Sequence, residues 1–332
     1  MKVTIADIQK LRKLTSAGLV DCKKALIEAE GDMEKAVEIV RKRGQAIAAK
    51  REDRDAAEGR ALAKADGEFA AVVAIKCETE PVSNNEKFVN LVNDVLNLAL
   101  ANKVKTAEEL KALPLGDSTV AEQIKALSGI TGEKMELGDY GCVAGAKTVA
   151  YNHFNHKLST LVAFNKDVDD EVAKTIAMQV ASMNPMVALR EQIDPKRIEE
   201  ELSVAIDKTK NEQVQKAVNN ALKKAGYNEY YCASEEHMDE AIRKGYMTED
   251  DVKKAKEIIE TTSAAKKANL PEQLVQNIAK GRMNKFYQEN VLMEQIIDAD
   301  GVEKNTTVAD YLKKQDKELQ AIDMKRLNLN AD

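Results

Sequence analysis

At 332 residues, with 44% hydrophobic and 32% charged positions, the chain is long enough for two or more globular modules. Aromatics at 4%, no Trp, and four Cys that never form Cys-x-x-Cys exclude a disulfide scaffold and point to an Ala/Leu/Val-packed, helix-rich protein with reduced thiols. The net charge of −6 is uneven: residues 1–55 carry 13 Lys/Arg against 10 Asp/Glu, leaving −9 for the rest, which argues against broad phosphate binding and suits steering towards an acidic protein partner.

"MKVTIADIQKLRKL" has no apolar secretion core, and no run approaches the length of a membrane span, so a soluble cytoplasmic chain is expected. Thr4 with Asp7 predicts a reciprocal helix cap, with Val3 and Ile8 as its apolar staple. Ile8, Leu11 and Leu14 mark the first buried stripe, and "TSAG" (15–18) breaks the helix. Leu19, Cys22, Leu26 and Ala29 share a face of the second helix. Asp32 caps a third, bearing Met33, Ala36, Val37 and Val40, which ends in basic residues and Gly44. A charged linker follows over 45–59.

Asp66-Gly67 signals a hairpin, with Phe69, Ala71, Val73, Ile75 and Cys77 alternating behind it. After a loop at 77–85, Phe88, Leu91, Val92, Val95 and Ala99 give a helical face. The same order recurs: 141–164 reads as a hairpin, and Val172, Ile176, Val180 and Met183 line a helix, the halves being joined by a helix around 119–128. From Ile198 to about Asn269 narrow apolar seams (Val214, Val218, Leu222; Val252, Ile258, Ile259) with charged flanks predict projecting helical hairpins close to coiled coil, and Thr248 with Asp251 caps one of them. The expected architecture is α+β. It comprises a three-helix module (1–54) that resembles ubiquitin-associated domains, two pseudo-repeated antiparallel-sheet-plus-helix subdomains (55–140 and 141–199), an inserted helical arm (200–270), and a return to the core with a C-terminal module (271–332).

Catalytic signatures are missing. No phosphate-cradling glycine motif occurs, and "SGITGEK" (128–134) reads as a helix-to-strand turn. His153 and His156 have no third ligand close in sequence, His237 sits among charges, and no Cys has a neighbouring base. No enzyme activity, cofactor or resident metal is expected. What remains is surface. Leu19 and Val20 are adjacent, so one stripe cannot take both: one extends outwards near Arg12, or both graze the core. In "CETEPVSNNEKF" (77–88) Pro81 can simply stop a strand, Asn84 or Asn85 can cap the next helix, and spacing alone makes Glu80 a solvated acid.

Two of these stretches carry a resemblance. "LRKLTSAGLVDCKKALIEAEGDMEKAVEIVRKRG" (11–44) resembles the opening module of the bacterial elongation factor Ts family, with Thr15, Ala17, Gly18, Asp21, Cys22, Lys23, Lys24, Ala25 and Leu26 matching in order. The stretch 77–88 stands where that family reads Cys-x-Thr-Asp-Phe-Val-Ala-x-x-x-x-Phe, with Cys77, Thr79, Val82 and Phe88 in agreement. "GRMNKFYQENVLMEQ" (281–295) is similar to the family's Gly-Arg-x-x-Lys-Phe segment. Two departures stand out: Glu80-Pro81 replaces Asp-Phe, and "HKLS" (156–159) replaces Gly-Arg-Ile-Gly.

The resemblance implies guanine nucleotide exchange on the translational GTPase elongation factor Tu, bound both with GDP and empty. It makes Arg12, Leu19 and Val20 grip residues of the first module. It makes Glu80, Pro81, Val82 and Ser83 the tip that disturbs the partner's Mg²⁺. No nucleic acid or membrane enters that scheme. A plain peptide-binding module built on the first bundle is the alternative, an RNA-binding translation factor a weaker one. For the arm, pairing of two copies, contact with the partner, or neither are all left open.

Overall fold

The computed structural model describes residues 3–15, 17–299 and 301–330. Helices α1 (Ile5–Thr15), α2 (Leu19–Glu28) and α3 (Met33–Ala49) open the chain. The cap expected at Thr4 forms: its hydroxyl accepts the Asp7 N–H at 3.2 Å, and the Asp7 carboxylate accepts the Thr4 N–H at 3.1 Å. Asp32 likewise accepts the N–H groups of Glu34 and Lys35. Leu11, Cys22, Ala25, Leu26, Ala36 and Val40 make the module's core. Leu14 is a correction, since it is exposed. The buried face continues instead at Thr15, four residues after Leu11, with the Thr15 hydroxyl donating to the Leu11 carbonyl. Ser16, within the expected break, lies outside the described residues.

Strands β1 (Glu58–Asp66) and β2 (Phe69–Cys77) pair antiparallel across a turn whose Gly67 has φ +63°. Then come α4 (Glu80–Ser83), α5 (Glu86–Ala101), α6 (Ala107–Ala112), the short β3 (Pro114–Leu115) and β4 (Ser118–Thr119), α7 (Val120–Thr131) and β5 (Met135–Ala144). β5 lies on β2, completing the first sheet in the order β1-β2-β5. The odd residues of β2 meet Phe88, Val92, Val95 and Leu96 in the first core. Its even residues, Ala70, Val72 and Ala74, are buried as well, against Leu161, Ala163 and Leu327. The alternation foresaw one inner face; alanines on the other make it flat enough for a second sheet to cover it.

That second sheet has the order β6 (Lys147–Asn152), β7 (Leu158–Phe164), β8 (Ala321–Asn328), with α8 (Asp170–Met183) packed on it and α13 (Val308–Lys313) nearby in the same core. The hairpin is therefore shorter than the expected 141–164, because Gly141–Ala144 pair with β2. Asn152 bridges the two sheets by imitating a strand. Its Oδ1 accepts the Ala63 N–H at 2.7 Å, and its Nδ2 donates to the Ala63 carbonyl at 2.9 Å.

A second correction concerns α3, which runs through Gly44 to Ala49. Gly44 is no left-handed cap. A Cβ built there would sit 3.7 Å from the Gly129 Cα, and one on Gly129 would sit 2.5 Å from the Gly44 Cα. The glycine pair lets α3 and α7 cross almost backbone to backbone, fixing the first module on the sheet subdomain.

Residues 190–289 form a separate compact unit of helices α9 (Pro195–Lys224), α10 (Glu235–Arg243), α11 (Glu249–Ala268) and most of α12 (Glu272–Asn290). Val214, Val218 and Leu222 of α9 share a core with Ala255, Val252, Ile258 and Ile259 of α11, as the seams predicted. The Thr248–Asp251 capping box is present. Mixed helix and antiparallel sheet make the chain α+β, and among the described residues no helix is long and apolar enough to cross a membrane.

Candidate partner interface

The 77–85 segment, expected as a loop, contains one helical turn, α4, between β2 and α5. Pro81 occupies its first turn, where a missing N–H is harmless and a fixed φ favours the helix. Asn85 caps α5 by accepting the Lys87 N–H at 3.0 Å. Glu80 and Pro81 are exposed, Val82 is half-buried against the first core, and Ser83 is buried. The four residues thus divide into an outward pair and an inward pair.

Three sets of bonds hold this turn. Thr79 does not cap it, because both its N–H and its hydroxyl donate to the Glu133 carboxylate, at 3.1 and 2.6 Å. Glu78 accepts the Lys134 N–H at 2.7 Å and the Arg54 guanidinium at 3.0 Å, and these donors hold its carboxyl below the usual carboxylate range. From the other side, Arg60 donates to the Ser83 carbonyl at 3.4 Å and to Asn84 Oδ1 at 3.1 Å. Beneath, burial and then the charge of Glu133 push the Cys77 thiol up to about 12, so it stays protonated and serves packing. Glu133 and Arg60 were not foreseen as part of the tip. They lie far from it in sequence, and only the pairing of β5 with β2, which sets Met135 opposite Cys77, brings Glu133 there.

Beside α4 stands the 153–157 turn of the β6–β7 hairpin. The Ala61 N–H donates to the His156 carbonyl at 2.7 Å, and Lys157 pairs with Glu58 at 2.7 Å. Glu58's hydrogen bond raises the Lys157 ammonium most, and the charges of Glu58 and Glu80 add to this, which puts Glu80 within electrostatic reach of the hairpin. Phe154 at its end is 83% exposed, an unusual position in a chain with five Phe.

His156 adopts φ +55°, a left-handed conformation that costs a β-carbon-bearing residue about 1–2 kcal/mol. This is the first position of the "HKLS" that stands in place of Gly-Arg-Ile-Gly. Burial, then the Arg60 charge, lowers the His156 pKa, and its Nδ1 is buried without a hydrogen-bond partner among the described residues. His156→Gly should therefore stabilise the protein by about 1 kcal/mol at neutral pH. Because the folded imidazole is the harder one to protonate, wild-type stability is full above the ordinary histidine range and declines as pH falls through it. The variant's advantage should grow on acidification, and chemical denaturation at two pH values that showed a constant or shrinking gap would count against this reading.

On the first module Arg12 is exposed, and Leu19 and Val20 are 49% and 64% exposed. Neither apolar residue grazes the core; α2 turns Cys22, Ala25 and Leu26 inwards instead.

The family model described as Elongation factor TS matches residues 78–230 and 237–331. The chain belongs to the elongation factor Ts family. It is 54% identical over 333 residues to Elongation factor Ts of Bacteroides thetaiotaomicron, with all of both chains covered. The corresponding proteins of Parabacteroides distasonis and Bacteroides fragilis are 54% and 52% identical, again over their full lengths. Membership of the elongation factor Ts family makes this chain a translation elongation factor. Full coverage also means that such relatives of the family have a counterpart to the helical unit, so its length is not peculiar to this chain.

Proposed function

We propose that this chain is the exchange factor for elongation factor Tu, binding the GDP-loaded GTPase in the cytoplasm, disturbing its Mg²⁺ and phosphate site, and holding the emptied form until GTP enters. The observation that carries the reading is the exposed Glu80-Pro81 pair on a helical turn tied down by Glu133, Arg60 and Glu78. A nanomolar nucleotide lies about 12 kcal/mol below release. Accelerating its departure ten-thousand-fold takes about 5.5 kcal/mol, and a rigid tip loses little of that to its own ordering.

In this reading Glu80 and Pro81 enter the partner, while Val82 and Ser83 fix their angle from below. Arg12, Leu19 and Val20 form the first module's grip, one exposed cation and two exposed apolar side chains. The factor itself makes and breaks no bond. Its preference for the emptied partner must be matched, by linkage, by weaker binding once nucleotide returns.

Glu80→Ala should slow factor-stimulated GDP release about tenfold, the equivalent of one charge-assisted contact of ~1.4 kcal/mol. Val82→Ala should slow it less, by loosening the turn. Release followed by nucleotide fluorescence at saturating factor is the check. Wild-type rates from both variants, with binding intact, would remove the tip from the mechanism.

A further inference from the structure

We propose that residues 227–251, at one end of the helical unit, form a docking surface for a lysine- and arginine-rich protein segment. Four of the chain's eight tyrosines fall in this short stretch: Tyr227, Tyr230, Tyr231 and Tyr246. Three of them and His237 form a continuous ladder of rings. Tyr231 stacks on Tyr246 at 5.1 Å, Tyr230 meets Tyr231 edge-on at 5.6 Å, and Tyr230 meets His237 edge-on at 4.8 Å.

Two of these rings are open, with Tyr230 59% and Tyr246 61% exposed. The backing is firm. Cys232, Met238, Ala241 and Met247 are buried beneath, and the Ser234 hydroxyl shares a 2.6 Å hydrogen bond with His237 Nδ1. Rings held in place before a partner arrives lose little freedom on binding, which is why tyrosine recurs at interface hot spots.

The charge on this stretch selects the occupant. Residues 227–251 hold eight Asp/Glu against two Lys/Arg, a net of −6 that equals the net of the whole chain. Glu235 and Glu240 are ion-paired with Lys256 and Lys244. Glu229, Glu236, Asp239, Glu249 and Asp250 have no cationic partner among the described residues. Open ring faces attract Arg and Lys through their quadrupoles, and the surrounding acids steer cations towards them. The same field repels nucleic acid.

The test is anisotropy of a labelled peptide of alternating Lys, Arg and Gly, with its Glu-for-cation counterpart as control, titrated with the full-length chain. Wild type should bind the basic peptide and not the acidic one. Tyr230→Ala with Tyr246→Ala should weaken binding about tenfold, whereas the double Tyr→Phe variant, which keeps the ring faces, should bind like wild type. GDP release should be untouched in either variant, since the tip lies in the other unit, so failure of exchange and failure of docking are read separately. Equal peptide binding by the double alanine variant would overturn the proposal, as would indifference to peptide charge. So would tyrosine-dependent binding of single-stranded RNA, or a tyrosine-dependent dimer in sedimentation.

Discussion

Gly129→Ala should cost the fold about 3 kcal/mol, near the upper end for inserting one methyl into a filled space. The added carbon would lie 2.5 Å from the Gly44 Cα and closer still to the Gly44 carbonyl, and backbone cannot swing aside as a side chain can. Either α3 lifts from α7 or both helices bend. The ion pairs flanking the crossing, Arg41 with Asp117 and Lys125 with Glu52, cannot hold it, because all four side chains are largely exposed and such pairs are worth ~1 kcal/mol or less. The reciprocal change discriminates. A Cβ on Gly44 finds ordinary contact at 3.7 Å, so Gly44→Ala should be neutral or gain up to about 1 kcal/mol of helix propensity. Denaturant midpoints and amide exchange across 45–49 read both variants. Equal midpoints for the two would mean that the glycine crossing does not seat the first module.

Gln179→Leu should cost about 3 kcal/mol despite similar volume, because it strips a hydrogen bond from the buried Gln295 amide and from two part-buried backbone groups. Gln179 is 2% exposed on α8. Its Nε2 donates to Gln295 Oε1 at 3.1 Å and to the Ile296 carbonyl at 3.0 Å, while its Oε1 accepts the Asp298 N–H at 3.0 Å. One amide thereby pins residues 295–298, the stretch of chain that leads on to β8. Loss should appear both as lowered stability and as faster exchange of amides in β8. A variant within 1 kcal/mol of wild type, with β8 still protected, would show that apolar packing alone holds the tail.

What could be read from the letters was mostly local. The caps at Thr4, Asp32 and Thr248 each couple a side-chain oxygen to a nearby N–H, so a few residues suffice to reveal them. The Asp66-Gly67 turn and the seams of α9 and α11 were legible for the same reason. Long-range pairing was not. β8 joins β7 from over 150 residues away, with Leu158 opposite Asn328, and nothing in its own eight residues names that partner. Gly44 illustrates the ambiguity of glycine. It follows a basic turn as a terminator does, yet its role is set by Gly129 on another helix. In the 77–88 stretch the family resemblance singled out Glu80 and Pro81, whereas the Glu133 carboxylate, which replaces a helix cap with a cross-brace, carries no local signal.

The tip and the first module are two candidate contacts on one scaffold, and the account requires them to act on nucleotide affinity in a partner rather than merely to bind it. The most direct measurement is stopped-flow release of fluorescent GDP from purified elongation factor Tu as the full-length chain is added. The release rate should climb with factor concentration and saturate roughly a thousandfold or more above the spontaneous rate, a lowering of the barrier by about 4 kcal/mol. A rate that stays at the spontaneous value while a stable complex forms would contradict exchange and leave only a binding module.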